Sequence, residues 1–198
     1  MARPSNRSQR RQEILQGFQE TLASQGYERS TISSIAKASG LTSGLIHHHF
    51  SSKLEILIEL VHLLQARLDE RFERLLEGRT EPAGRLSAFI DSRLATGPGA
   101  DPRAVACWVA IGAEALRQRE VRDVYRALML KQSQQLSAIL AEFPKPPDRV
   151  EETSAALLAA VEGCYQLAAA VPEIAPPGFA ARSLRRMAEG LLDCKLPS

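Results

Sequence analysis

The residues of this chain that could do chemistry cluster in one short stretch: Thr42 and Ser43, then His47, His48 and His49, then Lys53. Imidazoles can ligate metals, titrate near neutral pH, or hydrogen-bond phosphates and base edges. Chelation from one helix wants ligands at i and i+4, as in HExxH, and no His or Cys lies four residues from any of the three histidines. A structural metal is therefore disfavoured. Helical geometry also points neighbouring residues to different sides, so His49 is expected inward when His47 and His48 face out. Lys53 falls in the first turn of an expected helix, where a cation opposes the helix dipole. A phosphate against that helix end would remove the conflict, and this is favoured over a freely solvated lysine. Arg3 and Arg7 lie in an N-terminal segment expected to be a flexible basic arm, suited equally to phosphate or minor-groove contact and to plain solvation. No GxSxG, P-loop, strand-preceded GxGxxG or Cys-His protease motif occurs, so no catalytic residue and no cofactor are expected. Cys107, Cys164 and Cys194 form no CxxC and read as small reduced hydrophobes of a cytoplasmic protein rather than a thiol switch.

The elements that must position these residues can be read from caps and spacing. In STISSIAKASGLTSGLIHHHFSSK (30–53), Thr31 is a good N-cap for a short helix carrying Ile32, Ile35 and Ala36. Gly40 can take φ > 0 and end it, and Thr42 can cap a second helix holding Leu45, Ile46 and Phe50. Ala36 marks the expected close approach, with Ile35, Leu41 and Ile46 as shared core. This is the logic of a helix-turn-helix whose second helix enters the major groove of DNA. A preceding helix from about Gln9 to Ser24, stopped by Gly26, offers Ile14, Phe18 and Leu22 to cover the pair.

The remainder reads as helices throughout. Ser51 or Ser52 caps one reaching about Leu76, with Leu57, Leu60, Val61, Leu64, Leu68, Phe72 and Leu75 at spacings of three and four. Pro82 opens the next, with Leu86, Phe89, Ile90 and Leu94. Asp101 caps a helix in which only Glu114 is charged between Ala104 and Leu116, so it is expected to be buried on most sides. A helix from about Glu120 to Phe143 follows. The segment 148–171 holds Ala155, Ala156, Ala159, Ala160 and Gly163, which would let another helix approach closely. The segment 178–194 carries Leu184, Met187 and Leu191 on one side. The expected fold is all-α, about nine helices, with a DNA-binding domain over 1–52 and a larger helical domain over 53–198. Residues 1–53 hold seven Lys/Arg against three Glu, hence +4, and the rest hold eighteen against twenty, hence −2. The positive excess lies where DNA phosphates would be. The first 25 residues have no apolar core of a secretory signal, and Ala104–Ala113 is far shorter than the roughly 20 residues of a membrane span.

The stretch TISSIAKASGLTSGLIHHHFSSKLEIL resembles the family pattern T-x-x-x-I-A-x-x-A-G-V-S-x-G-x-x-Y-x-x-F-x-x-K, and the chain is identified as a member of the TetR family of transcriptional regulators. Trp108 and the ALRQREVRDVYR segment are similar to its betaine-inhibitor, choline-responsive branch. The resemblance places Thr31 against a phosphate and Thr42, Ser43, Leu45, His47 and His48 on the exposed face of the recognition helix. His47 stands where the family has Tyr, so the Tyr contact does not carry over directly. The resemblance further implies an operator-binding homodimer built through the 149–170 and 178–193 helices and a small-molecule effector. Phe89, Trp108, Glu114, Tyr125, Met129 and Tyr165 are the pocket candidates, an aromatic set with one carboxylate that would suit a cationic ligand, although core packing competes for each. The alternatives are a helical ligand-binding or interaction module without specific DNA binding and, third, an all-helical enzyme.

Overall fold

Local signals decide where the helices begin and end. The computed structural model describes residues 6–94, 101–143 and 148–197. Among these, nine α-helices and no strand occur: α1 (Asn6–Arg29), α2 (Ile32–Ser39), α3 (Ser43–His49), α4 (Lys53–Leu76), α5 (Pro82–Leu94), α6 (Pro102–Ala115), α7 (Arg119–Ala141), α8 (Val150–Ala170) and α9 (Phe179–Leu192), with one 3₁₀ turn at Pro172–Ile174. α1 starts three residues earlier than its apolar stripe suggests, and Arg7 is helical rather than part of an arm; Arg3 lies outside the described residues. Gln9 and Arg10 both reach Glu13, and such i,i+3 and i,i+4 pairs support a first turn. Gly26, at φ 75°, breaks the helix as expected, but one further turn follows before Ser30.

The described residues form two compact units. One takes the chain up to Leu64 together with Asp101–Tyr125; the other takes Gln65 to 94 and Arg126 onward. α4 and α7 each contribute to both.

In the first unit, Ile14, Leu15, Phe18 and Leu22 of α1 are buried against α2, α3 and α6. Ile35, Ile46, Phe50, Ile56 and Leu57 join the same core, whereas Leu41 is half-buried. Ala36 is buried, and α1 closes tightly on α2 at Gly17 of α1. A Cβ there would sit 2.2 Å from Ser39 Oγ, 2.8 Å from the Ser39 backbone nitrogen and 3.0 Å from the Ile35 carbonyl oxygen. α6 lies along α1: Gln19 Nε2 donates to Asp101 (2.7 Å), and the Cys107 thiol donates to the Gln19 carbonyl (3.4 Å). Burial pushes that thiol up to about 12, which leaves it unionised and unreactive at neutral pH.

α6 is not buried nearly all round. Cys107, Trp108, Ile111, Glu114 and Ala115 are inward, but the rest is half-buried or exposed, because much of its apolar composition is Ala and Gly, whose exposure costs little. In the second unit the enclosed helix is instead α5, buried continuously from Leu86 to Leu94 with Ser87, Asp91, Ser92 and Arg93 included. Its polar groups are affordable because each finds a partner: Ser87 donates to the Pro197 carbonyl, Ser92 to the Phe89 carbonyl, and Asp91 accepts from Arg185. α9 turns Ala181, Leu184, Ala188 and Leu192 inward. Met187 and Leu191, expected beside Leu184, are 53% exposed each. Ala155, Ala156, Ala159 and Gly163 of α8 are exposed too, and nothing lies within 4 Å of where a Cβ on Gly163 or Gly190 would be.

Candidate nucleic-acid interface

Two caps build the helix-turn-helix. Thr31 and Ser34 form a reciprocal capping box, Thr31 Oγ1 accepting from Ser34 N (3.1 Å) while Ser34 Oγ accepts from Thr31 N (2.9 Å). Gly40, at φ 65°, adopts the left-handed conformation and its N–H bonds the Ala36 and Lys37 carbonyls, so the chain reverses sharply. Thr42 Oγ1 then accepts from Leu45 N (3.3 Å) to start α3. On this seven-residue helix Ile46 and His49 go inward, followed by Phe50 just past its end, while Ser43, Gly44, His47 and His48 go outward and Leu45 is half-buried. Thr31 and Thr42 are exposed as well. The result is a polar ridge of two hydroxyls and two imidazoles on a helix anchored from below, which can donate to and accept from phosphates and base edges.

The anchor is a residue that the spacing did not single out. Arg11 of α1 stacks its guanidinium 4.0 Å from the Phe50 ring centroid and donates to the His49 carbonyl at the C-terminal end of α3 and to Glu59 of α4, with Glu55 nearby. One cation thus satisfies the end of α3 and ties it to two neighbours. Its partners lie 38 and 48 residues away in sequence, so no local pattern could reveal them.

Lys53 resolves its conflict with the helix dipole internally. Its Nζ donates to the Tyr27 carbonyl (2.9 Å) and sits 3.9 Å from the Tyr27 ring centroid, fastening α4 to the last turn of α1. Ser52 caps α4, its Oγ accepting from Glu55 N, while Glu55 accepts from Ser51.

His49 is buried, its ring edge-on to His48 at 5.1 Å, and its Nδ1 has no partner. Burial holds its imidazole below the ordinary pKa, and the positive charges of His48, Arg7, Arg11 and Arg10 act the same way. The folded chain therefore resists a proton that the unfolded chain accepts. Folding stability is expected to fall as pH drops through about 6.5, the unfolded value, because there the unfolded state binds more protons. Thermal unfolding compared between the parent and His49→Leu checks this; an undiminished pH dependence in the variant would assign it to another group.

The six pocket candidates divide between the units. Trp108, Glu114 and Tyr125 fall in the first, where buried Glu114 accepts from Gln118. Phe89, Met129 and Tyr165 fall in the second, with Met129 half-buried. There Tyr165 donates to the Arg93 carbonyl (3.1 Å), and the Arg93 guanidinium covers the Phe89 ring at 3.5 Å. The face of Phe89 that could take a cationic ligand is thus occupied by a cation of the protein itself. No cluster of three or more His, Cys, Asp or Glu suited to a metal occurs among the described residues, and no described helix is long and apolar enough to cross a membrane.

Residues 14–60 match the sequence model of bacterial regulatory proteins of the tetR family, and residues 82–193 that of the C-terminal domain of BetI-type transcriptional repressors. The HTH-type transcriptional regulator BetI of Agrobacterium fabrum is 30% identical over 161 residues, covering 79% of this chain and 75% of its own. BetI of Rhizobium meliloti is 29% identical over 158 residues, at 79% and 76%. A transcriptional regulator from Rhodococcus shares the fold with a TM-score of 0.83 at 23% identity, over 92% of this chain and 96% of its own. A regulator from Saccharomonospora viridis, solved in complex with choline, does so with a TM-score of 0.77 at 21% identity, over 94% and 96%.

Proposed function

The chain belongs to the TetR family of bacterial regulatory proteins, as a ligand-responsive transcriptional regulator, and from that membership we propose that it is a cytoplasmic homodimeric repressor whose α3 reads a palindromic operator. The observation that carries the proposal is the outward ridge of Thr42, Ser43, His47 and His48 on a helix held from beneath by Ile46, His49 and Phe50. Thr42 and Ser43 bond phosphates or base edges, Leu45 meets a thymine methyl, and His47 and His48 reach polar edges. Thr31 faces a phosphate at the start of α2. Lys53 adds charge beside it while remaining bonded to Tyr27. Residues 1–52 read the DNA, and 53–198 supply dimerisation and the effector site. The exposed small and apolar residues of α8 and α9 pair with their copies in a four-helix interface, setting the two recognition helices about 34–36 Å apart. An effector selects a conformer with the wrong spacing. α6, packed on α1, is the element through which a change in the helical domain would reach α3.

Fluorescence anisotropy of the purified protein with duplex from its own upstream region tests this. Log affinity should fall linearly with log salt at a slope of roughly −0.9 per phosphate contact. Ser43→Ala and His48→Ala should each weaken binding by about 1–3 kcal/mol with the melting temperature unchanged, since both side chains are exposed. His48→Ala is cleaner than Lys53→Ala, which would also release α4 from Tyr27. A flat salt response, or full affinity in both variants, would defeat the proposal.

A further inference from the structure

Gly44 stands on the outward ridge of α3, and nothing inside the protein requires it to be glycine. Glycine weakens a helix interior relative to alanine, because it has more backbone freedom to lose. α3 has only seven residues, so few helical bonds offset that loss. Two internal causes commonly force the choice. One is a positive φ, which Gly40 has and Gly44 does not. The other is a neighbour too close to admit a Cβ, as Ser39 is at Gly17. A Cβ on Gly44 would meet nothing within 4 Å among the described residues, and the position is exposed.

Gly163 of α8 and Gly190 of α9 share this absence of an internal cause, and both are exposed. They lie on the helices proposed above to pair with a second copy. Glycines of this kind mark faces that another molecule approaches closely, since a missing side chain lets it reach the main chain. The face of Gly44 is a different one. Helical geometry sets it beside His47 and His48, three and four residues on, with the hydroxyls of Thr42 and Ser43 before it. The ridge therefore dips at its centre, and polar side chains stand on both sides of bare main chain.

We infer that Gly44 is a specificity-determining residue, its Cα meeting the base edges of the operator at van der Waals contact in a gap that a Cβ would fill. Ser43, His47 and His48 hydrogen-bond to either side of that contact. Base edges in the major groove carry the sequence, whereas phosphates fix only position, so a lost fit at the groove floor falls on the specific complex. The inference deepens the reading of α3 as the recognition helix and rests on it.

The test uses full-length Gly44→Ala and Gly44→Leu, the upstream duplex, and a scrambled duplex of equal length and composition. Stability and affinity should move in opposite directions. Gly44→Ala should raise the melting temperature by roughly 2–4 °C, the gain for such a change at an open helical position in a chain of this size. The same variant should lose about tenfold or more in operator affinity, as expected for a methyl forced into a filled contact. Gly44→Leu should lose more and still fold, because the position is open in the free protein. Affinity for the scrambled duplex, carried by phosphates, should change by less than about twofold in the alanine variant. Parent affinity in both variants would show that the duplex stays clear of Gly44, and equal losses on the two duplexes would put the contact on the sugar-phosphate backbone. A lower melting temperature in the alanine variant would reveal an internal need for glycine. Each of these three results overturns the inference. Failure of the parent chain to prefer the upstream duplex would instead overturn the regulator reading.

Discussion

Gly17→Ala should destabilise the protein and cost at least about tenfold in operator affinity, although alanine is the better helix former. In an open helix the change would gain about 1 kcal/mol. Here the added Cβ falls 2.2 Å from Ser39 Oγ and 2.8 Å from the Ser39 backbone nitrogen. The hydroxyl could rotate away, at the loss of its bond to the Ile35 carbonyl (2.7 Å), but the backbone nitrogen cannot. α2 must therefore back off α1, at a cost of roughly 1–3 kcal/mol for an overpacked contact. Since Gly40 and Thr42 couple α3 directly to the end of α2, the recognition ridge moves with it. Adding Ser39→Ala should recover only part of the loss, because it removes the hydroxyl clash and leaves the backbone ones. A melting temperature that rises in Gly17→Ala would show that the helices do not meet there.

The second large effect concerns assembly. Met187→Glu with Leu191→Glu should convert the dimer to monomer and lower operator affinity by about 10²–10⁴, the loss expected when two half-site contacts cease to reinforce one another. Both side chains are 53% exposed, so the chain itself has little reason to unfold. Four carboxylates brought together across a two-fold interface repel and cannot be desolvated cheaply. Sedimentation velocity alongside circular dichroism separates the outcomes. A double variant that stays dimeric would move the interface off α9.

What could be read from the sequence was what is local. Thr31, Gly40, Thr42 and Pro82 mark helix ends because a cap or a fixed φ acts within three or four residues, and the structure places each at the end expected of it. The inward direction of His49 followed from helix geometry alone. Arg11, the bond from Lys53 to Tyr27, and the bond from Arg93 to Gln132 were not readable, because their partners stand 26 to 48 residues away. Gly17 left a faint trace, a helix breaker set between Ile14 and Phe18 inside an apolar stripe. The burial expected of α6 failed because counting apolar residues made it look enclosed, whereas alanine tolerates water; α5 shows the converse, since serine, aspartate and arginine can be buried once paired. Met187 was misplaced because α9 has apolar residues on two sides, and periodicity does not tell which side its own chain covers.

Because α6 is laid along α1, the reading head is not an N-terminal bead that can be unthreaded from the rest. The chain enters that unit, leaves after Leu64, returns at Asp101 and leaves again after Tyr125. A graft of the first fifty-two residues onto a related body would bring its own α1 against a foreign α6, losing the Gln19–Asp101 and Gln19–Cys107 bonds. Chimeras intended to exchange operator preference between such proteins should transplant 101–125 along with the head.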